Sequence, residues 1–195
     1  MTHSWVLVSG AVILMMLVGL MGGMYFLESK AGLDFFPGLS QKYCQIHTCT
    51  FIQVVGNSMN PSLQSNQRIL FVSDYYSTQS LAHGDIVQIS SVIPLVKRIV
   101  AVEGDRLELR GNALYRNSVQ LLEPYLLEPV GPSHYSALME QLRAADGIVP
   151  SGKVVAFGDN RNDSKDSGSL GFFSKGDIMG KIVPFSWMDA FYQTP

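Results

Sequence analysis

A chain of 195 residues has room for one domain of ordinary size, and with 15% charged and 47% hydrophobic side chains it is more apolar than a typical soluble protein. A formal net charge of -2 supplies no basic stripe to replace counterions on a phosphate backbone, which excludes nucleic acid as a partner. The partner that this composition implies is a lipid bilayer.

Much of the apolar excess sits at the start. After a four-residue tail, residues 5–27 carry no charged side chain, and these 23 residues exceed the ~20 that a helix needs to cross a bilayer core. They read as a retained transmembrane helix. A cleaved signal peptide is the alternative, but no Lys or Arg precedes the run, the run outlasts the usual ~7–15 residue apolar region, and no A-x-A site follows. Gly10, Gly19, Gly22 and Gly23 could admit a second helix, although glycine is simply common in membrane helices. Charge does not orient the span: only the amino terminus and His3 precede it, whereas Lys30 and Lys42 follow it, which leans against export of the rest.

Residues 28–50 form a juxtamembrane segment. Within it Cys44 and Cys49 would fit a disulfide in an oxidising compartment, and two cysteines with His47 fall short of the four ligands of a zinc site. An apolar run, 51–55, then leads into Gly56-Asn57-Ser58-Met59-Asn60-Pro61. Gly56 and Asn57 turn a chain and Pro61 biases Asn60 away from helix, so Ser58 is expected at the mouth of a strand beside free backbone N–H groups. An ordinary turn serine would look the same. Short β-branched runs follow at 68–73, 85–90, 94–102, 106–110 and 113–119, with Gly111-Asn112 as a hairpin turn. A helical pattern at 133–145 places Tyr135, Leu138, Met139 and Leu142 on one face, with Ser133 to cap it and Gly147 just past its end. Strands resume at 154–157 and 178–183. Residues 51–195 therefore read as one mainly β domain with a small helical insertion.

Two positions inside this pattern are chemically odd. Lys97 lies in an apolar strand, on the face of Leu95 and Ile99, while Arg98 shares the other face with Val96 and Val100. Desolvation disfavours an ammonium ion, so a lysine in such a wall could accept a proton; a lysine snorkelling at a sheet edge is the bland reading. The second oddity is the polar loop from Gly158 to Gly168, which follows an apolar strand and lacks the glycine and distal glutamate of a calcium-binding loop. A loop so rich in hydrogen-bonding groups is suited to bracing something.

In order and spacing, five segments resemble the type I signal peptidases, the membrane-bound Ser-Lys endopeptidases that remove signal peptides from exported proteins. They are Gly-x-Ser-Met-x-Pro at 56–61, His83-Gly-Asp-Ile-Val87, the run from Lys97-Arg98 to Gly104-Asp105, Val149-Pro-Ser-Gly152, and Gly-Asp-Asn-Arg-x-x-Ser-x-Asp-Ser at 158–167. The resemblance implies a β-rich catalytic domain outside the membrane behind a single span, with the amino terminus in the cytoplasm of a bacterium. It implies Ser58 as nucleophile, Lys97 as general base, and Ser164 as the group that hydrogen-bonds and directs the Lys97 amine. Asp159 and Arg98 would pair to hold the loop, and Asp166 would brace it, with Arg161 or Lys165 as its partner because Gly168 stands where an arginine is often found. The oxyanion would be met by the Ser58 N–H; Gly56 replaces a serine that donates in some members, so its own N–H or a neighbour must substitute.

Substrate would lie extended along the strands near Val54 and Leu95, with small residues first and third before the cut and pocket walls formed by Val54, Leu63, Leu95 and Val96. Phe35, Phe36 and Trp187 are candidates for lipid contact, with core packing or a turn the blander account of each. Partners implied are signal-peptide-bearing precursors, the bilayer and the export machinery; no cofactor and no metal is implied. A pilin-maturing peptidase of conjugation systems and a catalytically inactive peptide-binding module are the alternatives. No role is assigned to the helix at 133–145.

Overall fold

The computed structural model describes residue 44 and residues 46–183. The tail at 1–4, the span at 5–27, most of the juxtamembrane segment, Phe35, Phe36 and Trp187 lie outside the described residues. Among the described residues no helix is long and apolar enough to cross a membrane.

Ten strands are described: β1 (Cys49–Gln53), β2 (Arg68–Val72), β3 (Ile86–Ile89), β4 (Leu95–Val102), β5 (Leu107–Arg110), β6 (Ala113–Arg116), β7 (Val119–Gln120), β8 (Lys153–Phe157), β9 (Phe173–Ser174) and β10 (Ile178–Val183). Seven form one antiparallel sheet in the order β1-β2-β10-β3-β4-β8-β9, and β5-β6-β7 make a small second sheet. Two helices accompany them, α1 (Ser136–Ala144) and the four-residue α2 (Ser167–Leu170). The domain is mainly β with little helix.

Local chemistry explains where the elements differ from the sequence pattern. The run at 113–119 breaks because Asn117 and Ser118 both take left-handed backbone, φ 52° and 68°, and Asn117 secures the break by donating to Asp105 Oδ1 at 2.7 Å and accepting from the Arg106 N–H at 2.8 Å. Helix α1 starts at Ser136 because Pro132 opens a 3-10 turn over Pro132–Tyr135, so Ser133 does not cap it. At its other end the Gly147 N–H closes onto the Leu142 carbonyl at 2.8 Å, and Gly147 takes φ +75°, which favours glycine.

Two parts of the core matter for the site. Met59 and Leu63, flanking the Ser58 turn, are buried with Val54, Ile69, Ile86 and Ile182. Each such side chain contributes roughly 1.5–3 kcal/mol, which pins the turn against the sheet. Tyr135, Leu138 and Leu142 bury themselves with Val100, Val155 and Phe157, so the inserted segment docks on β4 and β8. Cys44 and Cys49 are joined as a disulfide, Cα to Cα 5.5 Å, packed near Leu70 and Val72. The nearby Asp74 takes the Thr48 N–H at 2.8 Å and lies 3.2 Å from His47.

Candidate functional site

Strand β4 is paired on both sides, with Lys97 opposite Val87 of β3 and Arg98 opposite Phe157 of β8. A lysine in the middle of such a sheet is shut from water: Lys97 is 2% exposed. Burial pushes its pKa below the ordinary value, and the nearby Asp166, Asp159 and Asp163 only partly restore it. Its Nζ reaches Ser58 Oγ at 2.7 Å. The two residues, 39 positions apart in the chain, thus form a hydroxyl–amine pair in a desolvated setting.

The turn that carries Ser58 is fixed from several directions. Leu63 N–H bonds to the Met59 carbonyl at 2.9 Å, Asn60 N–H to the Asn57 carbonyl at 3.0 Å, and the Ser58 carbonyl accepts the Asn160 N–H at 2.9 Å. Asn160 Nδ2 also donates to the Asn57 carbonyl at 3.3 Å. The polar loop therefore grips the Ser58 turn through its backbone. Among the described residues neither the Ser58 N–H nor the Gly56 N–H meets an acceptor, and Gly56 takes φ +89°.

Arg98 makes a forked pair with Asp159, Nε to Oδ1 at 2.8 Å and Nη2 to Oδ2 at 2.6 Å, and its other donors reach Ser62 Oγ and the Gly84 carbonyl, each at 3.2 Å. The Tyr125 ring covers the guanidinium at 4.3 Å. This arginine ties the polar loop to the Ser58 turn across β4.

Gly158 leaves no room for a side chain. A Cβ there would press into the Ser58 carbonyl and the Ser164 hydroxyl, so only glycine allows the two to converge on the end of β8. Ser164 does not hydrogen-bond Lys97. Its hydroxyl is buried against Gly158 in the neighbourhood of Asp166 and meets no hydrogen-bond partner among the described residues.

Asp166 is completely buried and pairs with neither Arg161 nor Lys165. Its carboxylate takes the Gly158 N–H at 2.9 Å and the Gly168 N–H at 3.0 Å, and His134 Nε2 stands 3.3 Å from Oδ1. Burial would raise its pKa, but His134, Ser164 and the Gly158 N–H together hold it below the usual carboxylate range. Arg161, 3% exposed, turns instead to Glu123, to the Tyr135 hydroxyl at 2.8 Å and to the Gly158 carbonyl at 3.0 Å.

The four pocket-wall residues do not behave alike. Leu63 is fully buried beneath the Ser58 turn and offers no surface to a peptide, which removes it as a wall; Val54 is 5% exposed in the same cluster. Leu95 and Val96 are half-buried. Glu123, Tyr125, His134 and Tyr135 carry contacts to the site that residue types alone do not single out. Glu123 to Tyr135 lie in the segment between β7 and β8, and no periodic pattern marks residues 121–131.

The sequence model of the family described as "Signal peptidase, peptidase S26" matches residues 43–187. Signal peptidase IB of Staphylococcus aureus is 30% identical over 144 residues, covering 69% of this chain and 75% of that one. Signal peptidase I P of Bacillus subtilis subsp. natto is 36% identical over 132 residues, covering 65% and 71%. A crystal structure of a signal peptidase I from Enterococcus faecalis V583 is similar at 25% identity and a TM-score of 0.44, covering 54% of this chain and 98% of that one.

Proposed function

Because the chain belongs to the signal peptidase family, peptidase S26, we propose that it is a membrane-bound serine endopeptidase that removes N-terminal signal peptides from exported precursors, with Ser58 and Lys97 as its dyad. The observation that carries this reading is the 2.7 Å contact between Ser58 Oγ and the Nζ of a lysine that is 2% exposed. A buried amine is neutral at a lower pH than an exposed one and can then accept the hydroxyl proton.

In the first half-reaction Ser58 Oγ attacks the scissile carbonyl carbon and its proton passes to Lys97 Nζ. The tetrahedral oxyanion is met by the Ser58 N–H, with the Gly56 N–H as a second donor. Collapse breaks the C–N bond, and Lys97 returns the proton to the departing amine of the mature protein. Water then attacks the acyl-serine, Lys97 takes a proton from it, and the signal peptide leaves as a carboxylate while Ser58 regains its hydrogen. Asp159 and Arg98 hold the polar loop on the dyad, and Asp166 and Ser164 support its floor. The half-buried Leu95 and Val96 favour a shallow apolar site that admits small residues at the first and third positions before the cut.

Residues 5–27 anchor the enzyme in the bacterial cytoplasmic membrane with 51–195 on the outer side, beside the bilayer surface and the export machinery. The test is processing of a signal-peptide-bearing precursor by full-length protein in detergent. Ser58→Ala and Lys97→Met, each verified as folded, are expected to lower kcat by on the order of 10³-fold or more. Normal cutting by Lys97→Met would sink the dyad, and binding of precursor without cleavage by the unaltered chain would favour a peptide-binding module.

A further inference from the structure

We propose that His134 is a positioning residue of this peptidase: from the segment inserted between β7 and β8, its imidazole braces the Asp166 carboxylate that ties down Gly158 beside Ser58. The inference rests on the peptidase reading above and adds to it a residue outside the motifs that define the resemblance.

Asp166 has no exposed surface, and a buried carboxylate needs a partner beyond two backbone N–H groups to be held in one place. His134 supplies it. Its Nε2 is buried 3.3 Å from Asp166 Oδ1, at ion-pair distance but without hydrogen-bond alignment, and has no hydrogen-bond partner among the described residues. The room for the ring is made by Gly168, where a Cβ would press on the His134 carbonyl and lie 2.7 Å from Nε2 and 2.9 Å from Cδ2. The ring is steadied edge-on against Tyr135, centroids 5.0 Å apart, and tilted against Phe157 at 5.9 Å. Tyr135 and Phe157 belong to the cluster that docks the insertion on β4 and β8.

The path from this contact to the chemistry is short. Asp166 Oδ2 takes the Gly158 N–H, and Gly158 is the residue onto which the Ser58 carbonyl and the Ser164 hydroxyl converge with no room to spare. A carboxylate free to rotate would let Gly158 shift and loosen the Ser58–Lys97 distance. The inserted segment thereby carries a clamp for the loop that grips the nucleophile.

The experiment separates the polar contact from space filling. Full-length unaltered protein, His134→Phe, His134→Gln and Gly168→Ala are compared on a signal-peptide-bearing precursor in detergent, with kcat and KM determined separately. Phenylalanine keeps the ring and its packing but has no nitrogen; glutamine keeps a donor near the Nε2 position. His134→Phe is expected to lose roughly 10- to 100-fold in kcat through displaced reacting groups, with KM unchanged. His134→Gln is expected to recover most of that loss; Gly168→Ala, whose Cβ would press on the His134 carbonyl as well as the ring, is expected to lose activity too and serves only as a check on the packing. A phenylalanine variant that turns over like the unaltered protein overturns the proposal, because the ring would then only fill space. Equal losses in the phenylalanine and glutamine variants overturn it as well, because the nitrogen would not be what matters. An unaltered protein that cuts nothing refutes the peptidase reading instead.

Discussion

Lys97 is pulled two ways. Burial favours its neutral amine, whereas Asp166, Asp159 and Asp163 favour the ammonium, and burial prevails, so its pKa lies below the ~10.4 of an exposed lysine. With the neutral amine as base, kcat/KM rises with pH through the titration of Lys97 and levels off above it. A profile that is flat from mildly acidic to alkaline pH, with chemistry limiting, would contradict this. The same shift has a stability consequence with a fixed sign. The unfolded chain binds a proton at Lys97 that the folded chain releases earlier, so between the two pKa values stability grows as pH rises. Asp166 acts at the acid end: its depressed pKa gives stability that is complete above the unfolded value and is lost as pH falls through the folded one. Gly158→Ala makes a sharper demand, since its Cβ meets a backbone carbonyl that cannot swing aside. Its kcat is expected to fall by roughly 100-fold, measured on folded protein, because the Ser58 turn must move.

Strands are the legible part of the sequence. The runs around 68–73, 85–90, 94–102, 154–157 and 178–183 correspond to β2, β3, β4, β8 and β10 within a residue or two, because β-branched side chains bounded by turn formers have few other uses. Ser58 and Lys97 are singled out only by the five segments taken together, since an ordinary turn serine and a lysine snorkelling at a sheet edge would each look the same locally. Partners set by tertiary folding are not. Sequence proximity offers Arg161 or Lys165 to Asp166, yet the side chain beside its carboxylate is His134, from the inserted segment. Arg161 in turn pairs its charge with Glu123, in a stretch without periodicity. Arg161 is almost shut from water and Glu123 is half-buried, and Tyr125 donates to Glu123 at 2.9 Å while its ring covers Arg98. Glu123→Ala leaves the Arg161 guanidinium buried without its counter-charge, at a cost of about 3–5 kcal/mol in a denaturant titration. A loss under about 1 kcal/mol would show that Tyr135 and the Gly158 carbonyl are sufficient company for it.

The proposed anchoring in a membrane poses a question of sidedness that the charges answer badly. Lys30 and Lys42 follow the apolar run and nothing but His3 and the amino terminus precedes it, so the positive-inside rule leans toward a cytoplasmic catalytic domain. The disulfide between Cys44 and Cys49 leans the other way, because such bonds persist in oxidising compartments and are rare in the cytosol. Two lysines are a weak topological signal, and the pairing of Cys44 with Cys49, Cα to Cα 5.5 Å, makes the sharper demand on the compartment and the one a thiol measurement tests directly. Cells lysed into an alkylating reagent should yield protein with Cys44 and Cys49 unlabelled until a reductant is added, and the protein should stay with membranes at alkaline pH through residues 5–27. Immediate labelling of both thiols would place the Ser58–Lys97 pair on the side where precursors are made. A signal peptide would then meet the enzyme before export, and the proposed role in processing translocated precursors would fail even if purified protein cut them.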